Sequence, residues 1–349
     1  MQNHFSLAKE APCPMKQPSH LHRDLVEATV RRVLAGVRTD PERELRKLVD
    51  LGADVSRGRF QRRFLTAAQH LLEDPDSSYY AIARELLSRA DFDRLVAFGM
   101  ALGYDGCTRG ARLIRQIEAE HGFNIPWALS LETESARLSG GELDRWTALI
   151  AEGTRLGIHA YLLRCDDPAA AVPLAARQKN CAFLLFVRPD ETGPRLLAAL
   201  GKAPTCAVSV ELAPGAQAAC AALRQAGILH GVHWTYAALS EIRSGSWAEA
   251  VRHTGAPFGI LIPGRCPEET QQEVYRWVCA RRAEQRLPFV PIELRQDLRA
   301  IDRVVSDDDC AAGFGPDGQL LRDGRRIPGE DANCFAVPPD RIFARYLKK

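Results

Sequence analysis

At Asn124 the chain changes period. Ile125 to Leu131 (IPWALSL) is an apolar run of strand length, and five similar runs follow. They are GIHAYLLR (157–164), CAFLLFV (181–187), TCAVSVEL (205–212), GILHGVHWTY (227–236) and APFGILIP (256–263). Segments with helical character separate them: LDRWTALIAEGTRL, AAAVPLAARQ, PRLLAAL, GAQAACAALRQA and SWAEAVRHT. A strand that is apolar at nearly every position has both faces covered, so alternation with helices implies a parallel sheet. Right-handed crossovers then wind that sheet into an open or closed β/α barrel. The expected class is α/β, a partial (β/α)6-type TIM-like barrel over residues 123–292.

The flanks read differently. Residues 1–20 are polar and Pro-containing, a flexible tail by composition. Residues 21–122 carry helical period throughout and form an all-helical segment. In RGRFQRRFLTAAQHLLEDP the apolar positions Phe60, Phe64, Ala67, Ala68, Leu71 and Leu72 recur every three or four residues, and Asp74-Pro75 ends the helix. Further helices are expected near 22–37, 41–51, 77–89 and 91–120, the last broken across Gly103 to Gly110. Beyond Pro263 come an amphipathic helix, ETQQEVYRWVCARRAEQR, and PFVPIEL as a possible further strand. In the remainder, 293–349, Pro-Asp-Gly and Asp-Gly turn signals flank QLL and predict a small hairpin extension, with RIFARYLKK as a basic, peripheral end.

A chain of 349 residues exceeds the usual single core, which fits one large domain with smaller attachments. A net charge of +2, with acids and bases interspersed, gives no electrostatic case for nucleic acid or an anionic membrane. No run approaches the roughly 18 apolar residues of a membrane span. The N-terminus lacks the apolar core of a secretory signal, so the expected location is cytoplasmic. The ten cysteines include no CxxC pair, which argues against a zinc ribbon or a disulfide framework. His159, inside an apolar strand, reads as a core histidine.

In a β/α barrel the C-terminal strand ends converge on one mouth, where catalytic and binding groups gather. Here those ends supply Cys165, Asp166, Asp167, Arg188, Asp190, Glu211, His230, His233 and Tyr236. Acids with a histidine and a thiol could bind zinc, or serve hydrolysis with Cys165 as nucleophile. Any parallel sheet also puts polar residues at its strand ends, and alternation leaves open which way His233 and Glu211 point.

Several stretches, in order, resemble the radical S-adenosylmethionine superfamily across roughly residues 58–325. They are Gly122-Phe-Asn-Ile-Pro-Trp before the first strand, Gly157-Ile-His-Ala-Tyr-Leu-Leu, Ser209-Val-Glu211 at the fourth strand's end, and Cys310-Ala-Ala-Gly followed by Pro316-Asp-Gly318. The likeness is to members with a helical N-terminal segment and a cysteine-bearing, SPASM-like C-terminal extension. It implies an iron–sulfur cluster held by three thiolates in a CxxxCxxC loop after the first strand. No cysteine occurs from Pro126 to Arg164, so that loop is absent.

Ser139-Gly-Gly-Glu142 imitates the family's cofactor-binding Gly-Gly-Glu, but it precedes a helix, where Ser-x-x-Glu reads as a capping box. By position the counterpart is Cys165-Asp166-Asp167-Pro168, which keeps the proline and an acid and loses both glycines. Ser209 and Glu211 match the family's ribose-facing strand end, so Cys165, Asp166, Asp167, Ser209 and Glu211 stand as a remnant cofactor pocket, with Arg188, His233 and Tyr236 as further mouth residues. At the extension Cys310 matches a family cysteine, the next is replaced around Arg322-Asp323, and Cys310 with Cys334 cannot supply four ligands. The resemblance implies a non-catalytic relative, without metal or cofactor, that binds an active radical enzyme or a peptide or small-molecule ligand. The alternative is an enzyme through a relocated 4Fe–4S cluster with S-adenosylmethionine, or through a repurposed metal- or thiol-dependent mouth.

Overall fold

The computed structural model describes residues 20–37, 39–55, 59–138, 140–306 and 308–348. The expected tail lies outside the described residues except for His20, which begins the first helix. Helices α1 (His20–Val37), α2 (Pro41–Val55), α3 (Arg59–Leu71), α4 (Ser78–Arg89) and α5 (Phe92–Gly99) fill the N-terminal part. Local signals set their starts. Ser77 accepts from the Tyr79 N–H to cap α4, and Asp91 accepts from the Arg94 N–H to cap α5.

The break expected at Gly103 to Gly110 is instead a π-helical segment, Met100–Gly110, that runs without a gap into α6 (Ala111–His121). Glycine weakens a helix by about 0.5–1 kcal/mol relative to alanine, which is why the sequence suggested a break. Packing overrides that cost. A Cβ on Gly110 would stand 2.3 Å from the Gly157 carbonyl oxygen, so the glycine lets the two backbones touch.

The strands follow as β1 (Ala128–Thr133), β2 (Ala160–Cys165), β3 (Ala182–Val187), β4 (Cys206–Glu211), β5 (His230–Tyr236), β6 (Phe258–Pro263) and β7 (Val290–Glu293). Between them run α7 (Gly141–Leu156), α8 (Pro168–Ala176), α9 (Pro194–Leu200), α10 (Ala216–Gln225), α11 (Leu239–Arg243), α12 (Ser246–Thr254) and α13 (Glu268–Glu284). Each of β1 to β6 pairs in parallel with the next strand in sequence, and PFVPIEL supplies the seventh. The sheet is open, ending at β7.

The C-terminal region differs from expectation in where it goes. After α14 (Leu294–Val305) come β8 (Ala312–Phe314), β9 (Leu320–Arg322) and β10 (Arg325–Arg326). Both turns form as read, the second with Asp323 and Gly324 at φ 51° and 71°. The hairpin is no separate appendage, because β8 pairs in parallel with β1 and extends one sheet to ten strands in the order β10-β9-β8-β1-β2-β3-β4-β5-β6-β7. The terminal RIFARYL is not peripheral either. It forms most of α15 (Pro339–Tyr346), which packs on α7 and buries Ile342 and Phe343 completely.

The core lies on the helix-covered face of the sheet. Leu129, Leu131, Tyr161, Leu163, Phe183, Leu185, Val208 and Val210 join Trp146, Ile150, Val172, Leu196 and Leu223 in one cluster. Each fully buried aliphatic or aromatic side chain there contributes about 1.5–3 kcal/mol. Side chains alternate along a strand. Leu162, Arg164, Leu184, Phe186, Ser209, Glu211 and His233 therefore occupy the opposite, inner face. No helix among the described residues is long and apolar enough to cross a membrane.

Candidate functional site on the inner face of the sheet

Register brings side chains from two successive inner-face rungs together at the C-terminal strand ends. Glu132 pairs with Arg164, Phe186 with Ser209 and Glu211 with His233, on strands about 4.8 Å apart. The Arg164 guanidinium stacks 4.2 Å from the centre of the Phe186 ring. Phe186 in turn meets His233 edge to face, with ring centres 5.2 Å apart. On the other side His233 Nδ1 shares a 3.1 Å hydrogen bond with the fully buried Ser209 hydroxyl.

The electrostatics follow from this crowding. Burial, and then the Arg164 charge, push His233 down to about 4, so the imidazole is neutral at neutral pH. Desolvation by its neighbours draws Arg164 below its usual value against the opposing pull of Glu132 and Glu211, although all three side chains are exposed at the rim. A neutral Ser209–His233 pair thus lies beside a cation over an aromatic ring, which suits an anionic or planar group on a ligand.

The Cys-Asp-Asp-Pro turn has other work. Asp166 accepts the Ser135 N–H at 2.6 Å and the Ser135 hydroxyl at 2.9 Å, bonds that hold its carboxyl below the usual range. It thereby ties the β2 end to the short connection between β1 and α7. Asp167 caps α8 by accepting the Ala169 N–H, with Pro168 in the first helical position, and its other oxygen pairs with Arg195 at 2.8 Å. Burial pushes the Cys165 thiol up, and the thiol donates to Asp166 at 3.4 Å, whose negative charge opposes the thiolate. That arrangement does not activate a nucleophile.

Other expected mouth residues sit elsewhere. Arg188 is exposed, paired with Asp190 and Glu191 across the turn Pro189–Glu191. Tyr236 belongs to the helix-side core. Its hydroxyl donates to Glu293 at 2.7 Å, both groups are fully buried, and Glu293 also caps α14 by accepting the Gln296 N–H. His230 opens β5 at the end away from the mouth and is buried, its Nδ1 donating to the Ile228 carbonyl. The expected capping box rests on a residue that is not described. Gly140 holds the cap position of α7 and Glu142 pairs with Arg137, while Ser139 lies outside the described residues. Cys310 is buried, donating to the Ile125 carbonyl, and burial raises both its pKa and that of Cys334. Among the described residues no three His, Cys, Asp or Glu side chains are grouped to hold a metal ion.

Sequence reasoning found Ser209, Glu211 and His233 but missed Glu132, Arg164 and Phe186. A signal existed. Arg164 breaks an apolar run in phase with Leu162, as Glu211 does with Ser209, and such interruptions mark the face that is not covered by helices.

No family model matches the chain, and no curated protein matches it. Among solved structures it is similar to the crystal structure of Streptococcus suis SuiB, with 8% identity over 70% of this chain and 72% of that one and a TM-score of 0.46. SuiB bound to S-adenosylmethionine aligns at 9% identity over 68% and 71%, with a TM-score of 0.48. SuiB bound to the precursor peptide SuiA aligns at 9% identity over 70% of each chain, with a TM-score of 0.46.

Proposed function

We propose that this chain is a binding protein on a scaffold of the radical S-adenosylmethionine type that does not carry out radical chemistry. Its inner-face row around Arg164 receives a peptide or small-molecule ligand, or a group presented by an active radical enzyme. The observation that carries this reading is the engagement of Asp166 with Ser135. The turn that the resemblance matches to a cofactor-binding Gly-Gly-Glu-Pro is spent on fastening the β1–α7 connection. The glycines that would let backbone approach a cofactor are replaced by Cys165 and Asp166.

The residues present do not fit a cluster of the family's kind. Three thiolates must come from the connection after β1, and Glu134 to Gly140 contains no cysteine. Cys165, at the end of the neighbouring strand, is a single thiol whose pKa burial raises. No step is therefore assigned to such a cluster. What remains is recognition, for which a stacked guanidinium, a neutral hydrogen-bonding pair and rim carboxylates are sufficient chemistry.

Anaerobic reconstitution with iron and sulfide tests the reading. The expected product is colourless, without stoichiometric iron or sulfide and without cleavage of added S-adenosylmethionine. Stoichiometric incorporation with a broad visible absorbance, accompanied by cleavage, would overturn it.

A further inference from the structure

Away from the inner face, a cleft of about 580 Å³ lies between the start of α7 and the C-terminal extension. That volume falls within the roughly 300–1,000 Å³ of small-molecule sites. One wall carries Arg137, from the connection after β1, and Arg145, in the second turn of α7. The other carries Asp317, in the β8–β9 turn, with Glu330 and Asn333. Phe335 lies where the two walls meet. Its ring stands edge to face with Trp146, centres 5.0 Å apart, and 5.9 Å from the Arg145 guanidinium.

The second wall is fastened by its own hydrogen bonds. An isolated bridge joins Gln319 to Asn333, and the Cys334 N–H donates to the Gly318 carbonyl at 2.8 Å. Glu330 opens the short turn Glu330–Ala332, whose next residue, Asp331, pairs with Arg345 of α15 at 2.6 Å.

Most polar groups of the cleft are already used. Arg137 pairs with Glu142 at 3.2 Å, and Arg326 pairs with Asp317. Asn333 Nδ2 donates to the Asp317 carbonyl and its Oδ1 accepts the Phe335 N–H. Gln319, with its amide turned to satisfy both ends, donates to the Gly329 and Ile327 carbonyls and accepts from Asn333. Two charges are left over. Among the described residues neither Arg145 nor Glu330 has an ion-pair partner, and they are opposite in sign and belong to different walls.

Those two charges select the occupant. A phosphate or another multiply charged anion would meet Glu330 as well as Arg145, and a simple cation would meet Arg145 as well as Glu330. A carboxylate and an ammonium on one small molecule satisfy both, each through a charge-assisted hydrogen bond. Phe335 adds apolar surface between them.

We propose that this cleft binds a small zwitterion of the amino-acid type, with its carboxylate on Arg145, its ammonium on Glu330 and an apolar side chain against Phe335. The proposal does not rest on the function assigned to the inner face.

The test is calorimetric titration of the full-length protein with L-phenylalanine, beside N-acetyl-L-phenylalanine and L-phenylalaninamide, which each lack one of the two charges. L-phenylalanine should bind saturably at concentrations up to about 10 mM, and each blocked form should bind at least about tenfold more weakly. Arg145→Gln and Glu330→Gln should each weaken L-phenylalanine by a similar factor. Both residues are exposed, so both variants should unfold at the wild-type midpoint. The proposal is overturned if L-phenylalanine gives no saturable heat, if a blocked form binds as well, or if either variant binds like the wild type. Inorganic phosphate that binds the wild type and is strengthened by Glu330→Gln would mark an anion site instead, and would overturn it too.

Discussion

Acidification should expose His233. Its folded pKa is held at about 4 by burial and by Arg164, against an unfolded value of 6.5. Below pH 6.5 the unfolded chain takes up a proton that the folded protein does not, so stability present at neutral pH is lost as pH falls toward the folded value. The slope from this one group is about 1.4 kcal/mol per pH unit, or about 2 kcal/mol between pH 6.5 and 5. His159 and His230 are also lowered by burial and add their own acid sensitivity. The measurement must therefore be a difference. His233→Gln keeps a partner for Ser209 and does not titrate. Urea unfolding of both proteins from pH 7.5 to 5 should show the wild type losing about 2 kcal/mol more than the variant. Parallel profiles would refute the argument, because they would mean that the imidazole is either solvated or already charged in the fold.

Asp302 should behave in the opposite sense. It is buried, accepts the Trp127 N–H at 2.9 Å, and burial raises its pKa to about 7. The unfolded chain ionises first, so its contribution to stability declines as pH rises from about 4 to 7; Asp302→Asn should remove that decline, read as a variant that gains on the wild type over that range by urea unfolding. Gly110→Ala should lose several kcal/mol or fail to fold, because its Cβ would press on backbone. Gly106→Ala should stay within about 1 kcal/mol, since its Cβ would meet nothing nearer than 3.5 Å, and thermal unfolding separates the two outcomes. Asp166→Ala should release the connection after β1, so that trypsin cuts after Arg137 faster with the unfolding midpoint little changed; equal cutting rates would show that the Ser135 bonds do not hold it.

The elements that the sequence makes legible are those whose signals are local. Apolar runs such as CAFLLFV and TCAVSVEL became β3 and β4 with little shift in their bounds, because a strand covered by helices needs apolar residues at every position. Ser77 and Asp91 start helices through their own side chains. What escaped was non-local. The pairing of β8 with the free edge of β1 joins residues about 180 positions apart, and nothing in Ala312–Phe314 announces its partner. The place of Tyr236 and His230 in the run suggests mouth residues, yet strand phase puts Tyr236 on the helix side and strand direction puts His230 at the opposite end. Glycines at 103, 106 and 110 suggested a break where close packing on Gly157 demanded continuity.

The same distinction bears on the proposed function. Three of the four residues of the Cys-Asp-Asp-Pro turn are committed to a neighbour in the chain's own structure: Asp166 to Ser135, Asp167 to α8 and Arg195, and Pro168 to the first turn of the helix. A ligand arriving there would have to displace charge-assisted bonds that already satisfy the carboxylates. Arg164, one residue before the turn, is the contrasting case. It lies against the Phe186 ring, and Glu132 and Glu211 act on it through charge. On the proposed function, recognition therefore lies not at the turn, where a family resemblance would look for it, but at Arg164, Phe186, Ser209 and His233, which strand register brings to one place on the inner face.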